Sequence, residues 1–561
     1  MPDEMTPAPL DARLEALAAA RFESVLRRNP VLATFMGRHA ADDRLGDLSP
    51  EGVERDLAEV RTYIADLEEL DPAGLSASAC FERELALWTA RKERFTSEEI
   101  RHWERRATAV DEVGDGLFGL FARDFAPLRA RLESISGRLE DAPRVMAEQQ
   151  RRLTRRPVAV WHQVELRQAE ELPTFFAEIE ASGRGVWADD DPGLDRLRNA
   201  IGRANAALED YRGWLREGLG SADDDFALGR ERYDELVALR AFDGLTSEEI
   251  LEIGEQQLAE QKAARVTVAR EIDPHAGEAE VLDRVKNDHP ATFEQALEEY
   301  RTAMLRARAH LVERDLVTIP DGEHLRVVPT PEYLRNVMPF AAYFEPPKFD
   351  REPTGVYIVT PSVNGDPAAM REHNRASISN TSIHEAYPGH HLQLSAAITH
   401  PSLVRALVDA PEFTEGWGMY SEQMMREEGF DAEPRFRLML HTDAIWRACR
   451  IVLDIRLHRG EISVPEAIDF LVRHTGFERP NATAEVERYT STPTYQLSYL
   501  LGKVMLLRLR EDERRRLRAD FSLKRFHDAL IYAGSLPVSF HRRLLAGEGP
   551  GPATPRPLPG R

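Results

Sequence analysis

The segment Ser382-Ile-His-Glu-Ala-Tyr-Pro-Gly-His-His-Leu-Gln393 concentrates metal-binding side chains, with three histidines and one glutamate between His384 and His391. Imidazole nitrogens and carboxylate oxygens are ligands that Zn²⁺ prefers. In the related pattern His-Glu-x-x-His, two histidines one helical turn apart hold zinc, and the glutamate acts as general base toward a water molecule. The segment therefore predicts a zinc centre with His384 as a ligand and Glu385 as the base.

Proline occupies the position at which the second histidine ligand is expected. Pro388 stands four residues after His384, and proline lacks the N–H donor and clashes with the carbonyl four residues earlier. Gly389 permits backbone angles that other residues resist. We therefore expect the helix to break here and bring His390 to the ligand position. His391 is the alternative ligand, although in a straight helix it would lie about 10 Å further along the same face.

The length and composition predict a large protein of ordinary globular character. The chain has 561 residues, 42% hydrophobic and 30% charged, with a net charge of −23. This charge argues against nucleic acid or an anionic membrane as the main partner. Such a length allows more than one lobe. We expect an N-terminal helical lobe over residues 1–240, a catalytic helical lobe over 241–546 with a small β element at about 318–362, and a disordered tail over 547–561.

The N-terminal segment and the cysteines predict a cytoplasmic protein. Met1 to Asp11 has neither the basic region nor the apolar region of a signal peptide. No run of about 18 apolar residues predicts a membrane span. The two cysteines, Cys80 and Cys449, are far apart in sequence and have no ligand spacing, which suits a reducing compartment.

Helical periodicity extends through most of the first half. Apolar residues recur every three or four positions from Val53 to Leu70, and Asp71-Pro72 ends the pattern. Three segments match the capping box that begins helices: Thr96-Ser-Glu-Glu99, Thr246-Ser-Glu-Glu249 and Thr292-Phe-Glu-Gln295.

A small sheet is predicted before the active-site helix. Three short runs of β-forming residues, separated by proline and glycine, occupy Leu325–Val328, Ala341–Phe344 and Gly355–Thr360. An edge strand here would be able to pair with an extended peptide through main-chain hydrogen bonds. The alternative is a structural hairpin without a ligand role.

A third zinc ligand is expected from Thr414-Glu-Gly-Trp-Gly-Met-Tyr-Ser-Glu422. A catalytic zinc site needs three protein ligands and an open position. Glu415 follows His390 by 25 residues, which leaves room for one helix, a turn and a return helix. Glu422 would lie on the same helix face as Glu415, so one acid can bind the metal while the other orients a histidine. Glu415 is the predicted ligand, with Glu422 as the alternative.

Two later segments supply candidate catalytic groups. Arg450, Asp454 and His458 form a polar row on a predicted helix over Thr442–Arg459, either as a buried structural network or with Arg450 or His458 facing the site. In the second segment, Thr492 and Pro493 resemble a helix start. Tyr495 and Tyr499 lie one turn apart and would donate to an oxyanion, or would be aromatic core residues.

These segments together resemble a group of bacterial proteins catalogued as a domain of unknown function, family 885. The residues that carry the resemblance are His384-Glu-Ala-Tyr-Pro-Gly-His390, the Glu415-Gly-Trp segment, the helix with Arg450, Asp454 and His458, and the tyrosine-rich turn. The resemblance is specific in the second half of the chain and general in the first. That group is in turn similar to the gluzincin metallopeptidases.

The resemblance implies a ligand set and an activity. Carried over to this sequence, it assigns His384, His390 and Glu415 as zinc ligands and Glu385 as the base. The related peptidases are mainly helical, have a deep cleft between lobes, and in many cases cut short peptides.

We therefore expect a mainly α, two-lobed, metallopeptidase-like fold, with a small β-sheet next to the active-site helix and one zinc ion per chain. The expected reaction is hydrolysis of a peptide bond, with Glu385 passing a proton from water to the leaving amine. Tyr495, Tyr499, His458 or Arg450 would stabilise the oxyanion. Two alternatives remain: hydrolysis of a non-peptide amide by the same metal, and an inactive binding or scaffold protein.

Overall fold

The chain is mainly helical with one small sheet, which confirms the mainly α part of the predicted fold class. The computed structural model describes residues 9–330, 335, 341–361, 367–551 and 553–558. Within this part of the chain, α-helices predominate and one three-stranded sheet is present. None of the described helices is long and apolar enough to cross a bilayer. Residues 552 and 559–561 of the predicted tail lie outside the described residues.

The first of two compact units contains the described residues up to Phe226 together with Pro347–Glu352. The predicted apolar stripe is buried on α3 and just beyond it, at Leu57, Val60, Ile64, Leu67 and Leu70. The helices of this unit are α1 (Pro9–Arg28), α2 (Pro30–Phe35), α3 (Pro50–Glu68), α4 (Ala77–Phe95), α5 (Ala109–Ala122), α6 (Leu128–Arg152), α7 (Ala159–Val186) and α8 (Pro192–Leu219).

The second unit begins at Ala227 and contains the sheet and the remaining helices. Its first helix precedes the predicted lobe boundary between residues 240 and 241. The helices are α9 (Arg230–Leu239), α10 (Ser247–Ile272), α11 (Glu278–Lys286), α12 (Phe293–Glu313), α13 (Arg375–Glu385), α14 (His390–Ala397), α15 (Pro411–Glu427), α16 (Pro434–His458), α17 (Val464–Thr475), α18 (Arg479–Ser491), α19 (Ser498–Leu517), α20 (Leu523–Ile531) and α21 (Val538–Leu545).

The three predicted strands are all present and form one sheet. They are β1 (His324–Pro329), β2 (Ala341–Phe344) and β3 (Thr354–Val359), in the order β1-β3-β2. Strand β3 runs parallel to β1 and antiparallel to β2. Because β3 is central, its side chains are almost all buried, and β2 forms one edge beside the helix that carries His384.

Two of the three predicted capping boxes begin helices. Thr246 and Glu249 form both hydrogen bonds of the box at the start of α10, and the Thr292 side chain accepts from the Gln295 N–H at the start of α12. The prediction at Thr96 is wrong. Its hydroxyl donates to the Lys92 carbonyl, 3.0 Å away, so it continues the end of α4 into a wide π-helical turn.

Candidate metal centre

The helix that carries His384 breaks at the Pro-Gly pair, as the sequence predicts. Helix α13 ends at Glu385 and α14 begins at His390, and the Tyr387–Pro388 peptide between them is cis. The Gly389 N–H donates to the carbonyl of Ile383 over 2.9 Å. A Cβ at Gly389 would overlap the His384 carbonyl, so only glycine fits there. The break turns the His390 side chain toward that of His384.

His384, His390 and Glu415 lie together in one cluster. Their nearest ligand atoms are all within 4.8 Å of one another, and in the described part of the chain they form the one such group of three. The Glu415 Oε2 atom is 3.3 Å from His390 Nε2 and 3.6 Å from His384 Nε2. The two imidazole rings are perpendicular, with centroids 4.7 Å apart.

Helix α15 brings Glu415 to the histidines through two glycines. A Cβ at Gly418 would lie 2.6 Å from the His384 ring, and Gly416 lies directly against Gly502 of α19. A helix can approach a neighbour this closely only where it carries no side chain. Glycine on both sides of Trp417 therefore lets α15 pack between α13 and α19, with Glu415 at the metal-binding cluster.

Glu422 orients His384 from the opposite side. Its Oε1 atom is 2.7 Å from His384 Nδ1, and its Oε2 atom accepts a hydrogen bond of 2.9 Å from Asn380. Since a carboxylate only accepts, Nδ1 carries the proton of this bond. The Nε2 atom is then the nitrogen directed at Glu415, an arrangement typical of metal-binding histidines.

The cluster of His384, His390 and Glu415 is strongly ion-paired. Burial opposes the protonation of His384, but hydrogen bonds to Glu415 and Glu422 raise its pKa to about 10. Burial likewise opposes the ionisation of Glu415, yet the charges of His390 and His384 hold the pKa of this carboxyl well below its ordinary value. A divalent cation would take the place of these protons, because ligands bind metals in their deprotonated form.

Tyr495 and Tyr499 lie beside Glu415. The Tyr495 hydroxyl donates to Glu415 Oε1 over 3.0 Å and is 3.5 Å from the Tyr499 hydroxyl. The charge of Glu415 and burial raise the pKa of Tyr495, and burial with the same charge raises that of Tyr499. Both phenols therefore keep their protons and serve as hydrogen-bond donors.

The turn that carries Tyr495 differs from the prediction. Thr492 ends α18 instead of beginning a helix, and Tyr495 lies in a short 3₁₀ turn before α19. The cause is Asp454 of α16, whose carboxylate accepts the N–H groups of Thr494 and Gln496 over 2.9 and 3.3 Å. These bonds satisfy the turn from another helix, so no local cap is needed.

Arg450 and His458 have partners on neighbouring helices. Arg450 pairs with Glu485 over 2.9 Å, and its guanidinium lies 4.7 Å from the centre of the Tyr499 ring. His458 Nε2 is 3.0 Å from the Tyr489 carbonyl oxygen, to which it donates. Arg450 thus reaches the cluster only through Tyr499, and His458 lies two turns further along α16.

His391 belongs to a separate buried network. Its Nε2 atom is 2.8 Å from Glu323, and its Nδ1 atom is 2.9 Å from the Tyr343 hydroxyl. Tyr387 also donates to Glu323, over 2.5 Å. Both ring nitrogens of His391 are therefore engaged by residues near or within the small sheet, while the adjacent His390 faces Glu415.

Glu385 follows His384 directly and is half-buried. Its carboxylate forms no hydrogen bond or ion pair with other residues in the described part of the chain. Burial and nearby acids, including Glu385, raise the pKa values of Tyr300 and Tyr357, which places Glu385 close to these buried phenols.

Several residues of the site were not found from sequence. Asn380 has a detectable signal, because it lies one helical turn before His384 on the same face. Glu323 and Tyr343 have none, since they contact His391 across 68 and 48 positions of the chain. Arg447 precedes Arg450 by one turn of α16 and was not distinguished from other surface cations.

Comparison with solved structures shows the fold. A candidate lipoprotein of unknown function from Shewanella oneidensis matches with a TM-score of 0.77 at 22% identity, over 94% of this chain and 99% of that chain. A candidate lipoprotein from Colwellia psychrerythraea matches with a TM-score of 0.83 at 18% identity, over 96% and 98%.

Comparison with protein families gives one match, and no curated protein matches the chain. The family is described as "Bacterial protein of unknown function (DUF885)", and the match extends over residues 30–545. It therefore includes His384, His390 and Glu415 and most of both compact units, but not α1. The chain belongs to the DUF885 family of bacterial proteins.

Proposed function

We propose that the protein is a zinc-dependent hydrolase that cleaves peptide bonds, with short peptides as substrates. The observation that carries this proposal is the convergence of His384, His390 and Glu415, together with a carboxylate on the far nitrogen of His384. Two imidazoles and one acid form the ligand set of a catalytic zinc site with an open position. The gluzincin likeness and the two-lobed arrangement are part of the same proposal.

The donor set fits zinc. Its three ligand atoms are already within 4.8 Å of one another, and the second ring nitrogen of His384 has the acidic partner that orients such ligands. When bound, a zinc ion would polarise a substrate carbonyl and lower the pKa of water. His384, His390 and Glu415 would hold it, and Glu422 would keep His384 in its binding orientation.

The chain's own groups account for the proton transfers. Glu385 takes a proton from the attacking water and delivers it to the leaving amine. Tyr495 and Tyr499 donate hydrogen bonds to the oxygen on which negative charge develops. Arg450 positions Tyr499 through its contact with the ring. His458 remains a proposed contributor that acts by holding the segment near Tyr489.

Hydrolysis of a non-peptide amide is the alternative activity. It uses the same ligands and the same base, so substrate trials separate the two. A panel of short peptides and acylated amines is expected to show turnover of the peptides. The inactive scaffold is the less favoured alternative. A site that no longer binds metal would not need Glu422, itself bonded to Asn380, to orient His384.

We propose a cytoplasmic location. Cys80 and Cys449 are both free thiols, which suits a reducing compartment. The two similar structures are described as candidate lipoproteins, a description that differs from the proposed location of this chain. Fractionation of the native host with an antibody against this protein tests the proposal, and recovery in the membrane fraction would contradict it.

The test of the mechanism is Glu385→Gln. We expect this variant to lose turnover by at least about 100-fold, because the base is removed, while its zinc content stays equal to that of the wild type. Glu372→Gln is the matched control, since Glu372 is an exposed acid paired with Lys286. Full activity of Glu385→Gln would refute Glu385 as the base.

A further inference from the structure

One arginine near the cluster of His384, His390 and Glu415 has no hydrogen-bonded acid. Arg447 of α16 has its nearest acid, Asp443, 3.9 Å away, which is beyond hydrogen-bond distance. Its Nε atom is buried and has no hydrogen-bond partner among the described residues. By contrast, Arg450 one turn later pairs with Glu485 over 2.9 Å. Arg447 is therefore a partly buried cation with its donors uncommitted.

Two series of contacts place Arg447 close to the cluster. In the first series, the Tyr495 hydroxyl lies 3.0 Å from Glu415 Oε1. The Tyr499 hydroxyl in turn lies 3.5 Å from the Tyr495 hydroxyl. The guanidinium of Arg447 then lies 5.9 Å from the Tyr499 ring centre. The second series supports the same position, because the charge of Arg447 acts on Glu422, the acid that orients His384.

The second series runs through Asn380. Its side-chain amide donates both to Glu422, over 2.9 Å, and to Asp443, over 2.8 Å. Asp443 accepts this bond through Oδ2, and its Oδ1 atom lies 3.9 Å from Arg447 Nη1, so Arg447 has an acid nearby but no hydrogen bond to it. Lys503 adds another positive charge near Glu422, but Lys503 is buried, whereas the Arg447 side chain is partly exposed.

We propose that Arg447 binds a free carboxylate of the substrate, so that the enzyme acts near the C-terminal ends of peptides. This inference rests on the proposed hydrolase function and names its substrate class. A planar guanidinium matches a carboxylate with two parallel hydrogen bonds. A partly buried cation that has no hydrogen-bonded acid gains from such an anion, because its N–H donors have lost water without gaining a partner. The guanidinium carbon of Arg447 lies over the Trp446 ring, 3.9 Å from its centre, and this contact limits the movement of the side chain.

The test compares alanine peptides of two to five residues as free acids and as C-terminal amides. Binding is measured by calorimetry on zinc-loaded Glu385→Gln protein, so that the readout does not depend on turnover. We expect at least one acid to bind about 10- to 100-fold more tightly than its amide, the range for hydrogen bonds to a charged group. When Arg447→Met is combined with Glu385→Gln in one protein, this preference for acids is expected to disappear.

Two further variants control for folding and charge. Arg456→Met removes an exposed arginine of the same helix, which pairs with Glu255, and is expected to keep the preference for acids. Arg447→Lys keeps the charge without the paired donors and is expected to keep part of it. Circular dichroism checks that each variant folds.

The outcomes separate this proposal from the hydrolase function. Equal affinity for acids and amides at every length, or a preference that survives Arg447→Met, would overturn the carboxylate site even if peptides are hydrolysed. If the zinc-loaded wild type hydrolyses neither form, the hydrolase function fails, and the binding data still decide whether Arg447 holds a carboxylate.

Discussion

Two tyrosine hydroxyls stand beside the acid of the metal-binding cluster. Tyr495 donates to Glu415 and lies 3.5 Å from the Tyr499 hydroxyl. Removing a preorganised oxyanion donor typically costs about 10²–10³ in kcat. We expect Tyr495→Phe to lower kcat about 100-fold with little change in KM, as measured by steady-state kinetics on peptides.

A hydroxyl elsewhere in the same unit provides the control. Tyr532 donates to the carbonyl of Thr318 over 3.1 Å, and Tyr532→Phe is expected to leave kcat unchanged. Zinc content is measured on both variants. A fall in zinc content without a fall in kcat per bound zinc would show that Tyr495 serves only to hold Glu415.

At the residue scale, the sequence predicts ligand types better than their surroundings. The spacing from His384 to Glu385 and the Pro-Gly break follow from local rules. The orientation of His384 by Glu422 joins residues 38 positions apart, and the contact of His391 with Glu323 spans 68 positions. No local pattern encodes such pairs, because tertiary packing alone brings them together.

At the scale of elements, a glycine contact fixes the distance between α15 and α19. A Cβ at Gly502 would overlap the carbonyl of Glu412, and the two helices carry Glu415 and Tyr499. We expect Gly502→Ala to lower the free energy of unfolding by about 1–3 kcal/mol, the usual cost of overpacking. Chemical denaturation measures this loss, and weaker zinc binding is expected to accompany it.

The control for this substitution is Gly213→Ala in α8. A Cβ at Gly213 meets no atom within 4 Å, and alanine is the better helix former by about 0.5–1 kcal/mol. We expect this variant to be slightly more stable than the wild type. Equal effects of the two substitutions would contradict the close contact of α15 with α19.

Element boundaries follow from sequence where the determinants are local. The three strands and the starts of α10 and α12 are confirmed. The predicted starts at Thr96 and Thr492 are wrong, because both residues end a helix. The Thr96 hydroxyl donates to the carbonyl of Lys92, one turn earlier in the same helix. After Thr492, the carboxylate of Asp454 accepts the backbone N–H of Thr494, a bond that a local cap would otherwise provide.

At the scale of the whole chain, the segment between β2 and β3 returns to the first unit. His39 lies between Asp42 and Asp350, 2.9 Å from each, and stacks on Phe125. Burial alone would lower the pKa of His39, but the carboxylates of Asp350 and Asp42 raise it to about 9. This contact holds residues 347–352 within the first unit.

The raised pKa predicts a pH-dependent stability. Protonated His39 stabilises the folded state fully below its unfolded pKa of about 6.5, and this contribution is lost as pH rises through about 9. We expect His39→Gln to cost about 1–2 kcal/mol at pH 6, below the full value of the shift because the ring is partly exposed. The difference from wild type should shrink by pH 10, as measured by denaturant unfolding, and a constant difference would contradict the ion pair.

His384, His390 and Glu415 are the residues on which the proposed zinc centre depends most. The direct measurement is the zinc content of the untagged protein. It is determined by inductively coupled plasma mass spectrometry after zinc supplementation and dialysis. We predict about one zinc per chain for the wild type and for His391→Gln, and a loss of zinc for His390→Gln. A wild type without zinc, or a His390→Gln variant that keeps zinc while His391→Gln loses it, would contradict the proposed centre.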